Sequence, residues 1–171
     1  MASKKATSEI NQLAFANMAS RYEKAASILH ARKDSELRDP IYFLYFHASE
    51  SALKGFLRSK GKKTEELRKQ GRHQLGQLYE RCVKEGLRIA GVEAISVRNV
   101  IVLLDGGDDY QGFRYFTLES RSIPDLEWTS RVVGALVREI REIIVAADPD
   151  KGKPSVPAKI QIVISEPQPS K

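Results

Sequence analysis

A chain of 171 residues with 28 Lys and Arg against 22 Asp and Glu, a formal charge of +6, is long enough to bury about two-thirds of its surface in one domain without staples. Its single cysteine, Cys82, excludes an internal disulfide, and three histidines beside one cysteine provide no CxxC or HExxH spacing, so nothing in the chain calls for a metal or a cofactor. The longest apolar runs, such as IYFLYF, are too short to span a bilayer, and no charged-then-apolar leader opens the chain, so a reducing, cytoplasmic setting is expected.

Periodicity predicts an all-α, up-and-down bundle of about five helices with a mostly irregular C-terminal tail. Residues 1–8 read as a disordered N-terminus and residues 9–147 as the helical domain. The first helix is expected over residues 9–32, with Ser8 as N-cap and Ile10, Ala14, Met18, Tyr22, Ala25 and Leu29 along its buried side. The second opens at Asp39-Pro40, a capping residue followed by proline at the first helical position, and stops before Gly61. A basic connection leads to a third helix in HQLGQLYERCVKEG, where Leu75, Leu78 and Cys82 share a face and Gly86 supplies the stop. GVEAISVRNVIVLLDGG carries β-branched residues suited to a strand, yet Ala94, Val97, Ile101 and Leu104 keep a helical step and no partner strand lies nearby, so a fourth helix is predicted. GGDDYQGFRYF reads as a turn-rich loop anchored by aromatic residues. The last helix is expected from about Ser122, with Pro124 in its first turn and the stripe Leu126, Val133, Leu136, Ile140 and Ile143. Five of the seven prolines lie beyond Ala147, which marks residues 148–171 as a Pro-rich tail; within it KIQIVIS alternates as a short strand does.

Two features carry chemistry. Between residues 54 and 72 eight basic side chains (Lys54, Arg58, Lys60, Lys62, Lys63, Arg68, Lys69 and Arg72) face only Glu65 and Glu66, and this segment alone matches the whole formal excess. Such a cluster attracts a nucleotide or RNA, or simply forms a solvated surface. The second feature is Glu50. Stepping by three and four along the second helix gives Phe43, Phe46, Glu50, Leu53 and Leu57, so a carboxylate stands where a core residue belongs. A buried charge costs several kcal/mol unless paired. Lys54, four residues on, is the nearest candidate partner, with His47 on the same face and Arg114 and His73 arriving from elsewhere. Three readings of Glu50 stand side by side: a surface ion bridge worth roughly 0.3–0.5 kcal/mol, a buried structural network, and a ligand or catalytic site.

The order FHASESALKGFL, GRHQLGQLYERCVKEGL and FRYF resembles the HEPN superfamily (higher eukaryotes and prokaryotes nucleotide-binding) over residues 13–147. Glu50 and Lys54 match that family's helix-two Glu and Lys, His73-Gln74-Leu75 resembles its Gly-His-Asp-Leu segment, and Arg114-Tyr115 resembles its Arg-Tyr pair. The resemblance implies a homodimer, a minimal nucleotidyltransferase as protein partner, and a role in toxin-antitoxin or other defence systems. It also implies Glu50, Lys54, His73, Arg114 and Tyr115 as ligand-binding residues. Many members are metal-independent ribonucleases that use an arginine and, several residues later, a histidine. Here Arg98-Asn99 looks like the start of that motif, but Leu103 stands where the histidine belongs, and leucine cannot accept a proton. The expected function is therefore a noncatalytic HEPN-like domain that dimerises and binds a partner protein or a nucleotide. Its rivals are an active ribonuclease using His73 or His47 with Arg72 or Arg114, and a structural adaptor whose tail strand joins another protein's sheet.

Overall fold

The computed structural model describes residues 11–70, 74–105 and 124–147. Within them the chain forms six α-helices: α1 (Gln12–His30), α2 (Arg38–Ser59), α3 (Thr64–Gln70), α4 (Leu75–Lys84), α5 (Ala94–Asp105) and α6 (Leu126–Ala146), with a 3-10 turn at Ser35–Leu37. The expected all-α bundle is what the chain adopts. Ser8, Ile10, His73, Arg114, Tyr115, Ser122, the FRYF loop and the 148–171 tail lie outside the described residues.

The bundle is organised around α2, whose buried set of thirteen residues runs round the helix and includes Ile41, Tyr45, Ala48, Leu53 and Phe56. It packs against α1, α6, α4 and α5, and a helix surrounded in this way buries residues round most of its circumference. Small residues set its distance from α1: Ala16, Ala19 and Ala26 are buried on one helix, Ala48, Ala52 and Gly55 on the other. A Cβ added at Gly55 would come within 3.1 Å of both Phe15 Cβ and Ile144 Cδ1, so this glycine is where α1 and α6 close on α2.

That close approach corrects the stripe expected for α1. Ala14 and Met18 are exposed, while Phe15, Ala16, Ala19 and Ala26 are buried and Tyr22 and Leu29 are half-buried. The N-terminal half of the buried face is thus rotated by one residue, to Phe15 and Ala19, where α1 closes on Gly55 of α2. Asn11, whose side chain accepts from Ala14 N–H at 2.8 Å, is the cap in place of the expected Ser8.

Two further helix starts also differ from expectation. Asp34 caps the 3-10 turn by accepting from Glu36 N–H at 2.9 Å, and that turn runs straight into α2. Asp39 therefore sits in the first turn of α2, where its charge favours the helix dipole, rather than at the cap. In α6 the cap is Asp125, which accepts from Trp128 N–H at 2.9 Å; Pro124 precedes the helix, and its carbonyl accepts from the Tyr42 hydroxyl. The basic connection after Gly61 holds a helix the periodicity missed, α3. It buries only Thr64 and Leu67 among its described side chains and leaves no apolar repeat to read.

The remaining elements follow the sequence. Gly61 and Gly86 end α2 and α4 with φ of 83° and 89°, the left-handed conformation a helix stop requires. Cys82 is buried with its Sγ 3.4 Å from the Leu53 carbonyl. The ambiguous β-branched segment is helix α5, with Val97, Val100, Ile101 and Leu104 inward.

Both ends of the α4–α5 unit are fastened by distant carboxylates. Asp105, at the end of α5, accepts from the backbone N–H groups of Leu75 and Gly76, each at 2.8 Å, and so caps α4. Glu139 of α6 accepts from Ala90 and Gly91 N–H at 2.6 and 2.7 Å and fixes the loop between the two helices.

Candidate functional site

The polar cluster of α2 is built by helical spacing alone. Glu50 is 8% exposed. Its Oε1 accepts from Lys54 Nζ at 2.9 Å, one turn further on, and its Oε2 lies 3.5 Å from His47 Nδ1, one turn back. The imidazole of His47 is held by aromatic rings: edge-on to Phe43 at 4.4 Å and to Phe46 at 5.5 Å, and tilted over Tyr22 of α1 at 5.5 Å. The carboxylate expected in the apolar stripe is therefore buried and paired with a cation, as burial of a charge demands. Three of the five residues expected at the site, His73, Arg114 and Tyr115, lie outside the described residues; Glu50 and Lys54 are brought into contact.

The two partners of Glu50 are the more exposed members of the cluster. The side chains of His47 and Lys54 are 21% and 15% exposed, whereas that of Glu50 is 10% exposed. Geometrically this is a carboxylate engaged from both sides with a basic group at the surface. Lys54 is committed to that carboxylate, and Glu50 is poorly placed to take a proton from a substrate.

Four side chains of the basic segment are engaged by the fold, while those of Arg68, Lys69 and Arg72 lie outside the described residues. Lys54 pairs with Glu50 and Lys62 Nζ meets Glu85 Oε1 at 2.7 Å; the Glu85 carboxyl is held below its ordinary pKa chiefly by its hydrogen bond to Lys62. Arg58 donates to the Lys62 carbonyl at 2.9 Å, and Lys60 lies over the Phe56 ring at 5.3 Å. Glu66, inside the segment, binds Arg81 of α4 at 2.8 Å.

A second site, which sequence reasoning did not single out, lies between α4 and α5. A depression of about 400 Å³ has an apolar floor of Tyr79, Val83, Leu87 and Ile89, with Arg88, Arg98 and Glu80 at its mouth. Arg98 Nε binds Glu80 Oε1 at 2.9 Å. On α5, Ile95 and Val102 stand either side of Arg98 and are 56% and 52% exposed, unusual for large apolar side chains. The sequence signal was present, as Ile95, Arg98 and Val102 step by three and four, but the stronger inward stripe of the same helix masked it.

Cys82 is fully buried and burial pushes its thiol pKa far up, so it is no nucleophile. Among the described residues no three His, Cys, Asp or Glu side chains gather as metal ligands, and no helix is long and apolar enough to cross a membrane. Comparison with protein-family models, curated proteins and solved structures gave no match.

Proposed function

We propose that this chain is a noncatalytic, HEPN-like helical domain that forms a homodimer and binds a partner protein, of the nucleotidyltransferase type, or a nucleotide. The observation that carries this reading is Glu50 closed against its own helix, with Lys54 at 2.9 Å and His47 at 3.5 Å. A general acid or base must reach the reacting group, and this carboxylate is occupied by its neighbours. Lys54 is committed to that carboxylate, so the nucleotide-binding part of the reading rests on the resemblance of Glu50 and Lys54 to the family's helix-two Glu and Lys. Support on the noncatalytic side comes from α5, where Arg98 is tied to Glu80 and Leu103 follows in place of a histidine.

The test is RNA incubated with pure protein in excess chelator. It should stay intact, while sedimentation should give twice the monomer mass. Cleavage that disappears in His47→Ala or His73→Ala would overturn the noncatalytic reading in favour of a metal-independent ribonuclease. A monomer at every concentration would remove the dimer.

A further inference from the structure

The depression between α4 and α5 combines three properties that do not depend on any kinship of the domain. It has an apolar floor, a volume near 400 Å³ within the usual range of small-molecule sites (about 300–1,000 Å³), and two guanidinium groups at the mouth. Each arginine is fixed on one side and keeps donors on the other. Arg88 spends Nη1 on the carbonyls of Val83 and Leu87, at 3.3 and 2.7 Å, at the C-terminal end of α4. Arg98 spends Nε on Glu80. A guanidinium carries five N–H donors, so among the described residues Nη2 of Arg88 and both Nη groups of Arg98 remain to meet an anion. With one carboxylate, Glu80, between two guanidiniums, the mouth keeps a net positive charge.

The walls are built in advance. The loop that contributes Leu87, Arg88 and Ile89 is clamped where Glu139 takes the N–H groups of Ala90 and Gly91. A Cβ added at Gly91 would lie 2.7 Å from Glu139 Oε1, so glycine is what lets the clamp close. A pocket whose shape is set before a ligand arrives spares the ligand the cost of ordering it.

We propose that this pocket binds a small carboxylate-bearing amphiphile, its apolar body on Tyr79, Val83, Leu87 and Ile89 and its carboxylate on Arg88 and Arg98. A second copy of the chain is the poorer occupant, because two such basic mouths repel. A depression of about 400 Å³ favours a small molecule over a protein segment, whose interface would need a far larger surface.

Hexanoate and octanoate titrated into the full chain, followed by calorimetry and by amide NMR shifts, test the assignment, with 1-octanol as the uncharged control. Each added methylene should raise affinity about fourfold, so octanoate should bind about sixteen times tighter than hexanoate. Octanol should bind more weakly than octanoate. Arg88→Gln and Arg98→Gln, both at exposed positions that leave the core untouched, should each weaken octanoate about fivefold to tenfold while leaving octanol unchanged. Shifts should concentrate on residues 79–98.

Absence of saturable octanoate binding at millimolar concentration overturns the proposal. So does equal affinity for octanol and octanoate, or octanoate binding unaltered in both glutamine variants. If a Glu-rich amphipathic peptide shifts the same amides while octanoate does not, the occupant is a protein segment and the small-molecule assignment falls. None of these outcomes bears on RNA cleavage or dimerisation, so this site and the proposed function fail separately.

Discussion

Replacing Glu50 by glutamine removes one charge from the α2 cluster with little change in volume, and two limits bound its cost. Breaking a fully buried ion pair from one side costs about 3–5 kcal/mol; losing an exposed pair one helical turn apart costs about 0.3–0.5 kcal/mol. Glu50 is 8% exposed, but the side chains of Lys54 and His47 are 15% and 21% exposed, so the partners left by the change still reach water. Glutamine also keeps one oxygen that can accept from Lys54. The expected loss is therefore about 1–2 kcal/mol, or about 2–8 °C in Tm for a chain of this size. Thermal denaturation followed by circular dichroism measures it, with Glu80→Gln as the control. Glu80 is 48% exposed at its side chain and belongs to a surface pair, so that variant should stay within about 0.5 kcal/mol of the parent. A cycle with Lys54→Met assigns the difference to the pair. Equal Tm values for Glu50→Gln and Glu80→Gln would refute the claim that the carboxylate is a buried, paired group.

Tyr45 is fully buried and its hydroxyl finds no hydrogen-bond partner among the described residues, so Tyr45→Phe should raise stability by about 1 kcal/mol; a loss in chemical denaturation would mean that the hydroxyl is satisfied. Asp105→Ala should cost about 1–2 kcal/mol and speed hydrogen exchange at the Leu75 and Gly76 amides that the carboxylate caps; unchanged exchange there would show that the cap is not formed. Burial raises the pKa of Tyr79, and the charge of Glu80 adds to it; burial also raises that of Tyr42, against the opposing pull of Arg38. The unfolded chain then releases these protons first and the native state binds more of them. Stability is complete below the ordinary tyrosine value of about 10 and falls as pH rises through it toward the native value. Denaturant unfolding on either side of that pH should show the fall, and Tyr79→Phe should flatten it; a stability that rises with pH there contradicts the burial.

What the sequence made legible was whatever depends on spacing within one helix. The Glu50–Lys54 pair is an i,i+4 relation and needs no tertiary knowledge, and the helical step of Val97, Ile101 and Leu104 outweighed their β-branched neighbours. What it hid depends on contacts between helices. The buried side of α1 is set by its closure on Gly55 of α2, a contact between helices that the apolar step through Ala14 and Met18 does not contain. Helix α3 has one buried leucine among its described side chains and is stabilised through Glu66–Arg81, a partner fifteen residues away. The cap of α4 by Asp105 spans thirty residues, and no local motif announces it.

The same distinction governs where positive charge acts. By sequence, residues 54–72 hold an excess equal to the whole formal charge of the chain, and a polyanion groove there would release about one counterion per phosphate contact. In the fold, Lys54 and Lys62 are matched by Glu50 and Glu85, Arg58 is turned to a backbone carbonyl, and Lys60 rests on Phe56. A side chain already holding a carboxylate must give it up before it can neutralise a phosphate, so paired lysines contribute little to the salt dependence. Binding of a single-stranded oligonucleotide, measured across a salt series, should therefore show a slope of log affinity against log salt, at roughly −0.7 per contact, that is unchanged when Lys54 and Lys62 are replaced. A steep slope, carried by Lys54 and Lys62 and lost on their replacement by methionine, would mean that the pairs open on contact and that the basic segment is an RNA surface after all.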